Sequence, residues 1–181
     1  LVESSIKTGK ALFLEKPLCI SEEELIKLES MAASSDELPI IMVGHNRRFS
    51  PHLEQLHRWL LLRKNPLVIQ YRVNSGFVPS DHWVHSEGEG RSRIVGEMTH
   101  FIDLLNSITG SSISRVHAER IGGDNQSAVN NDNIAVTFKF EEGSVANLTY
   151  AASGDKAYSR EKIEIFFEGN TVVSEDFRIS K

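Results

Sequence analysis

The stretch FLEKPL, residues 13–18, places Lys16 between a short apolar run and a proline. Such a run, stopped by a proline, is typical of a buried strand, which we predict over residues 11–15. Farther along, the stretch RIVGEMTHFIDLL, residues 93–105, predicts a helix with His100 near its start. A lysine at the end of a strand and a histidine on a buried helix can meet at one site. Such a pair can hold and deprotonate a hydroxyl group.

The composition is that of an ordinary globular protein. The 181 residues are 40% hydrophobic and 25% charged, enough for one domain with a core or for one domain plus part of another. The net charge of −5 argues against a protein that binds nucleic acid or anionic membranes. No apolar run approaches the roughly 18 residues of a membrane span. The single cysteine, Cys19, excludes an intrachain disulfide and favours a reducing, cytoplasmic location.

The first 43 residues predict an alternation of helix and strand. Gly9 is placed to end the first helix, while Ser21 and Glu24 form a capping box that begins the second. The predicted elements are a helix over 1–8, a strand over 11–15, a helix from 22 to about 33 and a strand over 40–43. This order is typical of the end of a parallel α/β unit.

After Asn46 the pattern changes to two helices and a series of strands. Ser50-Pro51 begins a helix whose apolar stripe is Leu53, Leu56, Leu60 and Leu61. A second helix is predicted over 97–108, with Phe101, Leu104, Leu105 and Ile108 at core spacing. The predicted strands are 67–73, 115–121, 133–140, 144–151, 162–167 and 171–177, and residues 77–92 form a polar loop. Because short turns join successive strands, we predict a large, mostly antiparallel sheet backed by helices, and an α/β (α+β) fold overall.

Three segments carry a resemblance to a known family: FLEKPL at 13–18, HNRRFSP at 45–51 and RIVGEMTHFIDLL at 93–105. Together they resemble the Gfo/Idh/MocA family of NAD(P)-dependent oxidoreductases, which act on sugars and cyclitols, and the resemblance covers nearly the whole chain. It implies that residues 1–44 are the C-terminal remnant of a nucleotide-binding Rossmann domain. Residues 45–181 would then be a substrate-binding and oligomerisation domain that forms homo-oligomers through its sheet.

The glycine fingerprint of a dinucleotide site, G-x-G-x-x-G after a strand, is absent from this sequence. The sequence also lacks an initiator methionine and ends just after a predicted strand, so we expect the chain to begin inside a longer protein and to stop before its last domain ends. NAD or NADP would be bound by the full-length protein only, and the fragment itself would be inactive.

The resemblance also implies catalytic roles. Lys16 would hydrogen-bond the reacting hydroxyl, and Glu15, Lys16 and Pro17 would lie against the cofactor; the alternative for Lys16 is an exposed loop lysine. His100 would be the general base, and its alternative is a core histidine bonded to a backbone carbonyl. Family members usually carry an aspartate four residues before this histidine, where this chain has Gly96. Either Glu97, on the same helix face as His100, supplies the carboxylate, or the site is altered.

Other polar residues are candidates for substrate contacts, namely Trp83, His82, Asp103, Arg48, Lys156 and Tyr158. A tryptophan can stack on a sugar ring, and an arginine can hold an anionic group. For each, a purely structural role is the alternative. His82 and Trp83 would belong to a surface loop that Trp83 holds in place, and Arg48 would form an ion pair at a helix start. Asp103 would be a solvated surface residue, and Lys156 and Tyr158 would belong to a solvated hairpin over 153–162. A metal site from His82, His85, Glu97 and His100 has no recognised spacing, so we predict no metal.

Segments such as GEMTHFID at 96–103 resemble a subgroup found fused to, or beside, zinc-type alcohol-dehydrogenase-like domains and associated with surface polysaccharide metabolism. The resemblance implies hydride transfer between a nicotinamide cofactor and a sugar- or cyclitol-like alcohol, including a nucleotide-sugar. Gly96 leaves a second hypothesis open, in which the protein keeps the fold as a non-catalytic sugar- or cofactor-sensing or dimerisation protein.

Overall fold

Helix and strand alternate over the first 43 residues in the computed structural model, which describes residues 1–86, 92–123 and 130–180. The elements are α1 (Val2–Thr8), β1 (Leu12–Leu14), α2 (Glu22–Ala33) and β2 (Ile41–Val43). β1 and β2 pair in parallel, with Leu12 opposite Ile41. Gly9 ends α1 at a φ of 67°, the left-handed conformation that glycine adopts without strain.

The predicted capping box at the start of α2 is confirmed. The Ser21 hydroxyl accepts a hydrogen bond from the Glu24 N–H at 3.2 Å. The Glu24 carboxylate reaches back one residue farther than expected and accepts from the Ile20 N–H at 2.9 Å. Two N–H groups at the helix start are satisfied in this way, so the local sequence fixes where α2 begins.

A seven-stranded sheet contains the other strands, in the order β4-β5-β6-β3-β7-β8-β9. The strands are β3 (Val68–Asn74), β4 (Ile113–Arg120), β5 (Asn133–Phe140), β6 (Val145–Ala151), β7 (Glu161–Phe167), β8 (Asn170–Glu175) and β9 (Ile179–Ser180). Every pair is antiparallel except β3 and β6, which run parallel. The predicted large, mostly antiparallel sheet is therefore confirmed.

The connection over residues 153–162 is not a hairpin, which corrects one of the sequence-based alternatives. β3 lies between β6 and β7 and pairs with both of them, so the chain crosses the end of β3 on its way between the two. Strand pairing at this sequence distance leaves no local pattern, and turn composition alone cannot show it.

Two helices, α3 (Pro51–Leu60) and α4 (Thr99–Thr109), pack against one face of this sheet. The predicted core positions of α4 are buried, as are Leu53, Leu56 and Leu60 of α3. Leu61 is 75% exposed and is wrongly placed in the predicted stripe, because α3 ends at Leu60. No helix within the described ranges combines the length and the apolar character needed to cross a bilayer.

The helix predicted over 97–108 begins earlier than expected. A π-helical turn over Ile94–Met98 precedes α4 and follows directly from Arg93. The overlooked start signal is Ser92, whose hydroxyl accepts a hydrogen bond from the Val95 N–H at 3.3 Å. π-turns are rare and occur frequently at functional sites.

Candidate active site

Lys16 connects the two halves of the predicted site. It follows the carboxyl end of β1, and its ammonium donates a hydrogen bond to the Gly96 carbonyl at 2.6 Å. Gly96 lies in the π-turn, one helical turn before His100. The structure thus brings the FLEKPL segment against the start of the helix that carries His100.

A cleft of about 450 Å³ opens beside this contact, within the range of small-molecule sites. Its lining combines apolar walls with charged groups: Lys16, Pro17, Val78, His82, Trp83, Val84, Arg93, Gly96 and Glu97. Trp83 is 59% exposed, so its ring is available to a ligand. Five predicted site residues therefore meet at one cleft: Lys16, Pro17, His82, Trp83 and Glu97.

Glu97 does not contact His100 and instead belongs to a cluster with Arg93 and Tyr150. Its carboxylate accepts hydrogen bonds from the Tyr150 hydroxyl at 2.9 Å and from Arg93 Nε at 3.1 Å, with Arg160 at 3.5 Å. Burial alone would raise the pKa of Glu97. The Arg93 charge and the Tyr150 hydrogen bond outweigh that effect and hold the pKa below its usual value. Glu97 is thus a fixed anion at the rim of the cleft.

Arg93 is central to this cluster, and sequence reasoning missed it. Its side chain is only 3% exposed, and it donates to the Gly76 carbonyl at 2.7 Å. It also lies 3.7 Å from Asp132, which is 1% exposed and whose pKa is raised by burial. The i,i+4 spacing of Arg93 and Glu97 was the available signal, because residues four apart face each other on a helix.

The His100 imidazole is held in its neutral form. Burial lowers its pKa first, and the nearby charges of Arg47, Lys16 and His45 lower it further, to about 4. At neutral pH the ring can therefore accept a proton, as a general base must. His45, which follows β2, packs edge-on against it, with ring centroids 5.6 Å apart. His45 begins the HNRRFSP segment, and the sequence alone predicts no role for it.

The two adjacent arginines, Arg47 and Arg48, are both bound to carboxylates. Arg48 holds Asp103 through two hydrogen bonds, at 2.8 and 2.5 Å. Arg47 holds Glu161 through two more, at 3.1 and 2.6 Å. These ion pairs join the segment after β2 to α4 and to β7. Asp103 accordingly faces Arg48, and the ion-pair alternative fits both arginines.

Lys156 and Tyr158 lie apart from the cleft. Tyr158 stacks with the Arg72 guanidinium at 4.6 Å and lines a separate cavity of about 550 Å³ that shares no lining residue with the first. Lys156 packs its methylene groups over Gly76, where a Cβ would come within 2.8 Å of its Cε. The structure therefore does not bring either residue to Lys16.

The described residues contain no group of three or more His, Cys, Asp or Glu side chains that could hold a metal. The conceivable set of His82, His85, Glu97 and His100 does not converge. His85 lies 3.6 Å from Asp132, while Glu97 is held by Arg93 and Tyr150.

Two solved structures resemble this fold along nearly the whole chain. One is the UDP-N-acetylglucosamine 3-dehydrogenase GnnA from Acidithiobacillus ferrooxidans, with 22% identity and a TM-score of 0.71 over 97% of this chain and 51% of that one. The other is an NAD binding oxidoreductase from Klebsiella pneumoniae, with 16% identity and a TM-score of 0.78 over 98% of this chain and 50% of that one.

Sequence comparison also finds similarity along nearly the whole chain. The chain is 24% identical to the inositol 2-dehydrogenase of Rhizobium meliloti (strain 1021), over 98% of this chain and 54% of that protein. It spans about half the length of the curated relatives it matches. Residues 65–173, which include most of the large sheet, match the profile of the GFO/IDH/MocA C-terminal domain. The chain therefore belongs to the GFO/IDH/MocA family of oxidoreductases.

Proposed function

We propose that this chain is part of an NAD(P)-dependent dehydrogenase or reductase that transfers hydride between a sugar- or cyclitol-like alcohol and nicotinamide. The observation that carries the proposal is the hydrogen bond from Lys16 to the Gly96 carbonyl, which holds a cation beside the cleft and one turn from His100. The named relatives act on inositol and on UDP-N-acetylglucosamine, which supports an alcohol of that class.

In this mechanism Lys16 binds and polarises the reacting hydroxyl. An ammonium group has three N–H donors, and the Gly96 carbonyl occupies one of them. The remaining donors can hydrogen-bond the substrate oxygen and stabilise the negative charge that develops as its proton leaves. His100, neutral at pH 7, accepts that proton.

The nicotinamide cofactor, when bound, takes up or supplies the hydride. The residues present fit its reactive end, because Glu15, Lys16 and Pro17 follow β1 and Gly44 follows β2, at the carboxyl ends where parallel sheets bind ligands. A Cβ at Gly44 would lie 3.3 Å from the Glu15 carboxylate, so glycine allows these two strand ends to approach closely. In this proposal the cofactor phosphates are bound by parts of the full-length protein other than residues 1–181.

The same proposal assigns residues 1–44 to a nucleotide-binding domain and residues 45–181 to the substrate-binding domain. It is supported by the separate parallel pairing of β1 and β2, whose Phe13 and Met42 side chains are 63% and 42% exposed. Parallel sheets are normally covered on both faces, and further strands and helices would cover these side chains. The single cysteine supports a reducing, cytoplasmic location.

We also propose homo-oligomers that form through the face of the large sheet opposite the helices. Val68 and Phe166 are neighbours on this face and are 49% and 40% exposed. Adjacent apolar side chains of this size favour contact with a second copy. A Phe166→Lys variant should dissociate the oligomer in light scattering, and a monomeric wild-type protein would contradict the proposal.

A second candidate function is a non-catalytic sensor or dimerisation protein. It is favoured by Gly96, at the position where the family usually has an aspartate, and by Glu97, which is bound to Arg93 and Tyr150 rather than to His100. The two candidates differ in turnover, since a sensor would bind the sugar or the cofactor without any reduction of NAD or NADP.

The test uses the full-length protein, with NAD and NADP, and with myo-inositol and UDP-N-acetylglucosamine as alcohols. We expect absorbance at the wavelength of the reduced cofactor, and a loss of roughly 10² to 10⁴-fold in turnover for Lys16→Ala. Lys10→Ala is the matched control, because Lys10 is exposed and lies just before β1. No reduction of NAD or NADP by the wild-type protein would argue for the sensor, and equal turnover in Lys16→Ala and Lys10→Ala would contradict the role of Lys16.

A further inference from the structure

His45 and His100 form an imidazole pair that joins the segment after β2 to α4. The ring planes are inclined by 84° and the centroids are 5.6 Å apart, an edge-to-face contact. Such a contact needs only an aromatic ring, and a phenylalanine at position 45 would pack equally well. The nitrogen atoms at this place therefore need a separate explanation.

Both rings have a buried Nδ1 atom with no hydrogen-bond partner among the described residues. Buried polar groups are normally paired, so two unpaired nitrogens in one contact are unusual. A neutral imidazole has one donor and one acceptor nitrogen. An Nδ1–H on one ring and an Nδ1 lone pair on the other would be a matching donor and acceptor within this contact.

The charges around the two rings differ, so that one ring holds a proton better than the other. Arg47 and Lys16 disfavour a proton on His100, and the smaller effect of Glu161 opposes them. His45 is influenced by Lys16 and Arg48 as well, but the Asp103 carboxylate is the largest electrostatic influence on it after burial, and it favours the protonated ring. A proton that arrives at His100 is thus better held by His45.

We propose that His45 is the second member of a two-imidazole proton relay that carries the substrate proton from His100 to solvent. In the oxidation direction, the substrate O–H bond breaks and the proton binds His100 Nε2. The Nδ1–H of His100 passes to His45 Nδ1, and His45 releases its own Nε2 proton to water. Both rings are then in the other tautomer, and proton exchange with water restores the starting tautomers before the next turnover. The C–H bond of the alcohol supplies the hydride to the nicotinamide, so that alcohol becomes carbonyl with one hydride and one proton removed. Reduction runs through the same steps in reverse.

This relay rests on the proposed dehydrogenase function. His45 acts through His100 and does not touch the substrate, so its removal should slow proton departure without weakening substrate binding. The Michaelis constant should change little, while kcat and its dependence on solvent deuterium should change.

The experiment compares His45→Phe with wild type in the full-length protein, using myo-inositol and UDP-N-acetylglucosamine as alcohols. Phenylalanine keeps the edge-to-face ring and removes the nitrogens. We expect kcat to fall roughly 10- to 100-fold, less than the loss on removal of the base itself, with KM within about threefold. The solvent isotope effect on kcat should rise, and free imidazole should restore part of the activity of His45→Ala.

The matched control is His57→Phe. His57 is a part-buried histidine whose Nε2 lies 3.0 Å from the Ser107 carbonyl oxygen, in α3 and away from the cleft. It should lower the melting temperature at unchanged kcat per folded molecule. If His45→Phe behaves in the same way, with wild-type kcat and wild-type solvent isotope effect, the relay is wrong and His45 is a packing residue.

An NMR titration separates failure of the relay from failure of the dehydrogenase proposal. If wild type reduces neither cofactor with any alcohol, the dehydrogenase proposal fails. The imidazole resonances still test the pair, because coupled groups titrate together. Removal of the His45 charge should raise the pKa of His100 in His45→Phe. An unchanged His100 titration overturns the relay.

Discussion

Glu161 and Glu97 are two carboxylates that are each bound by an arginine and a tyrosine, and they differ in exposure and in the elements that they join. Glu161 is bound by Arg47 and by the Tyr71 hydroxyl, at 2.6 Å from the latter. Glu97 is bound by Arg93 and by the Tyr150 hydroxyl. Both tyrosine rings lie against Phe101, with centroids 5.5 and 6.0 Å away.

The difference between the two clusters is exposure and connection. The Glu161 side chain is 7% exposed and joins the segment after β2 to the large sheet, whereas the Glu97 side chain is 26% exposed and lines the cleft. A buried ion pair is costly to break, while a partly exposed one retains access to solvent and ligand. We therefore assign a structural role to the Glu161 cluster, whereas Glu97 remains accessible to a ligand in the cleft.

Loss of the Glu161 charge should give the largest effect. Glu161→Gln leaves the Arg47 guanidinium buried without its counter-charge, and breaking buried pairs in this way costs about 3–5 kcal/mol. The free energy of unfolding in urea measures it. Glu164→Gln is the control on the same strand, because its pair with Lys162 is about one-third exposed and should cost less than about 1 kcal/mol. Similar losses in the two variants would contradict the structural role.

Removal of the tyrosine hydroxyls should show which of the two clusters contributes more to stability. Tyr71→Phe and Tyr150→Phe each delete a hydrogen bond to a carboxylate, worth about 1.5–3 kcal/mol when the acceptor is charged. We expect Tyr71→Phe to cost more, since the more buried Glu161 cannot replace the lost donor with water. Thermal unfolding of both variants checks the order, and a larger loss for Tyr150→Phe would reverse our assignment of roles.

The pKa of His100 should depend more on the charge of Glu161 than on the charge of Glu97. An anion favours the imidazolium, so Glu161→Gln should lower the pKa of His100 further below about 4, and Glu97→Gln should change it less. Because the folded pKa lies below the unfolded value of about 6.5, the unfolded chain takes up this proton first. The His100 contribution therefore costs stability as the pH falls from about 6.5 to 4, and has no effect above that window. Unfolding free energies of His100→Asn and wild type across that window measure it.

We expect the smallest effect on stability from a substitution at Gly96, the residue before Glu97. No described atom lies within 4 Å of a Cβ built there, so packing does not require a glycine. Gly96→Ala should stabilise the protein by about 0.5–1 kcal/mol through helix propensity. Gly110→Ala is the contrast, because a φ of 66° at the end of α4 strains any other residue. A destabilised Gly96→Ala variant would show that the π-turn itself needs the glycine.

The features of the fold and of the site that could be predicted from the sequence are those that depend on local patterns. The Ser21–Glu24 capping box, the core spacing of α4 and the strand over 133–140 each depend on neighbours within a few residues, and all are confirmed. The Lys16–Gly96 contact was expected only in outline, through a family resemblance. Of the partners of Glu97, Arg93 could have been predicted from its i,i+4 spacing, but Tyr150 and Arg160 could not, because they come from the sheet and the crossover, more than 50 residues away.

The position of β3 has a consequence for how the chain folds. β3 is made early and lies at the centre of the sheet, yet its two partners, β6 and β7, come about 75–95 residues later. Hairpins such as β4–β5 and β7–β8 can form as soon as they are synthesised. Both edges of β3 remain unpaired until β6 and β7 have been synthesised. Contacts of this separation slow folding and leave an apolar strand open to other chains. Val73→Ala in β3 should therefore slow refolding less than it speeds unfolding, if the centre of the sheet forms last.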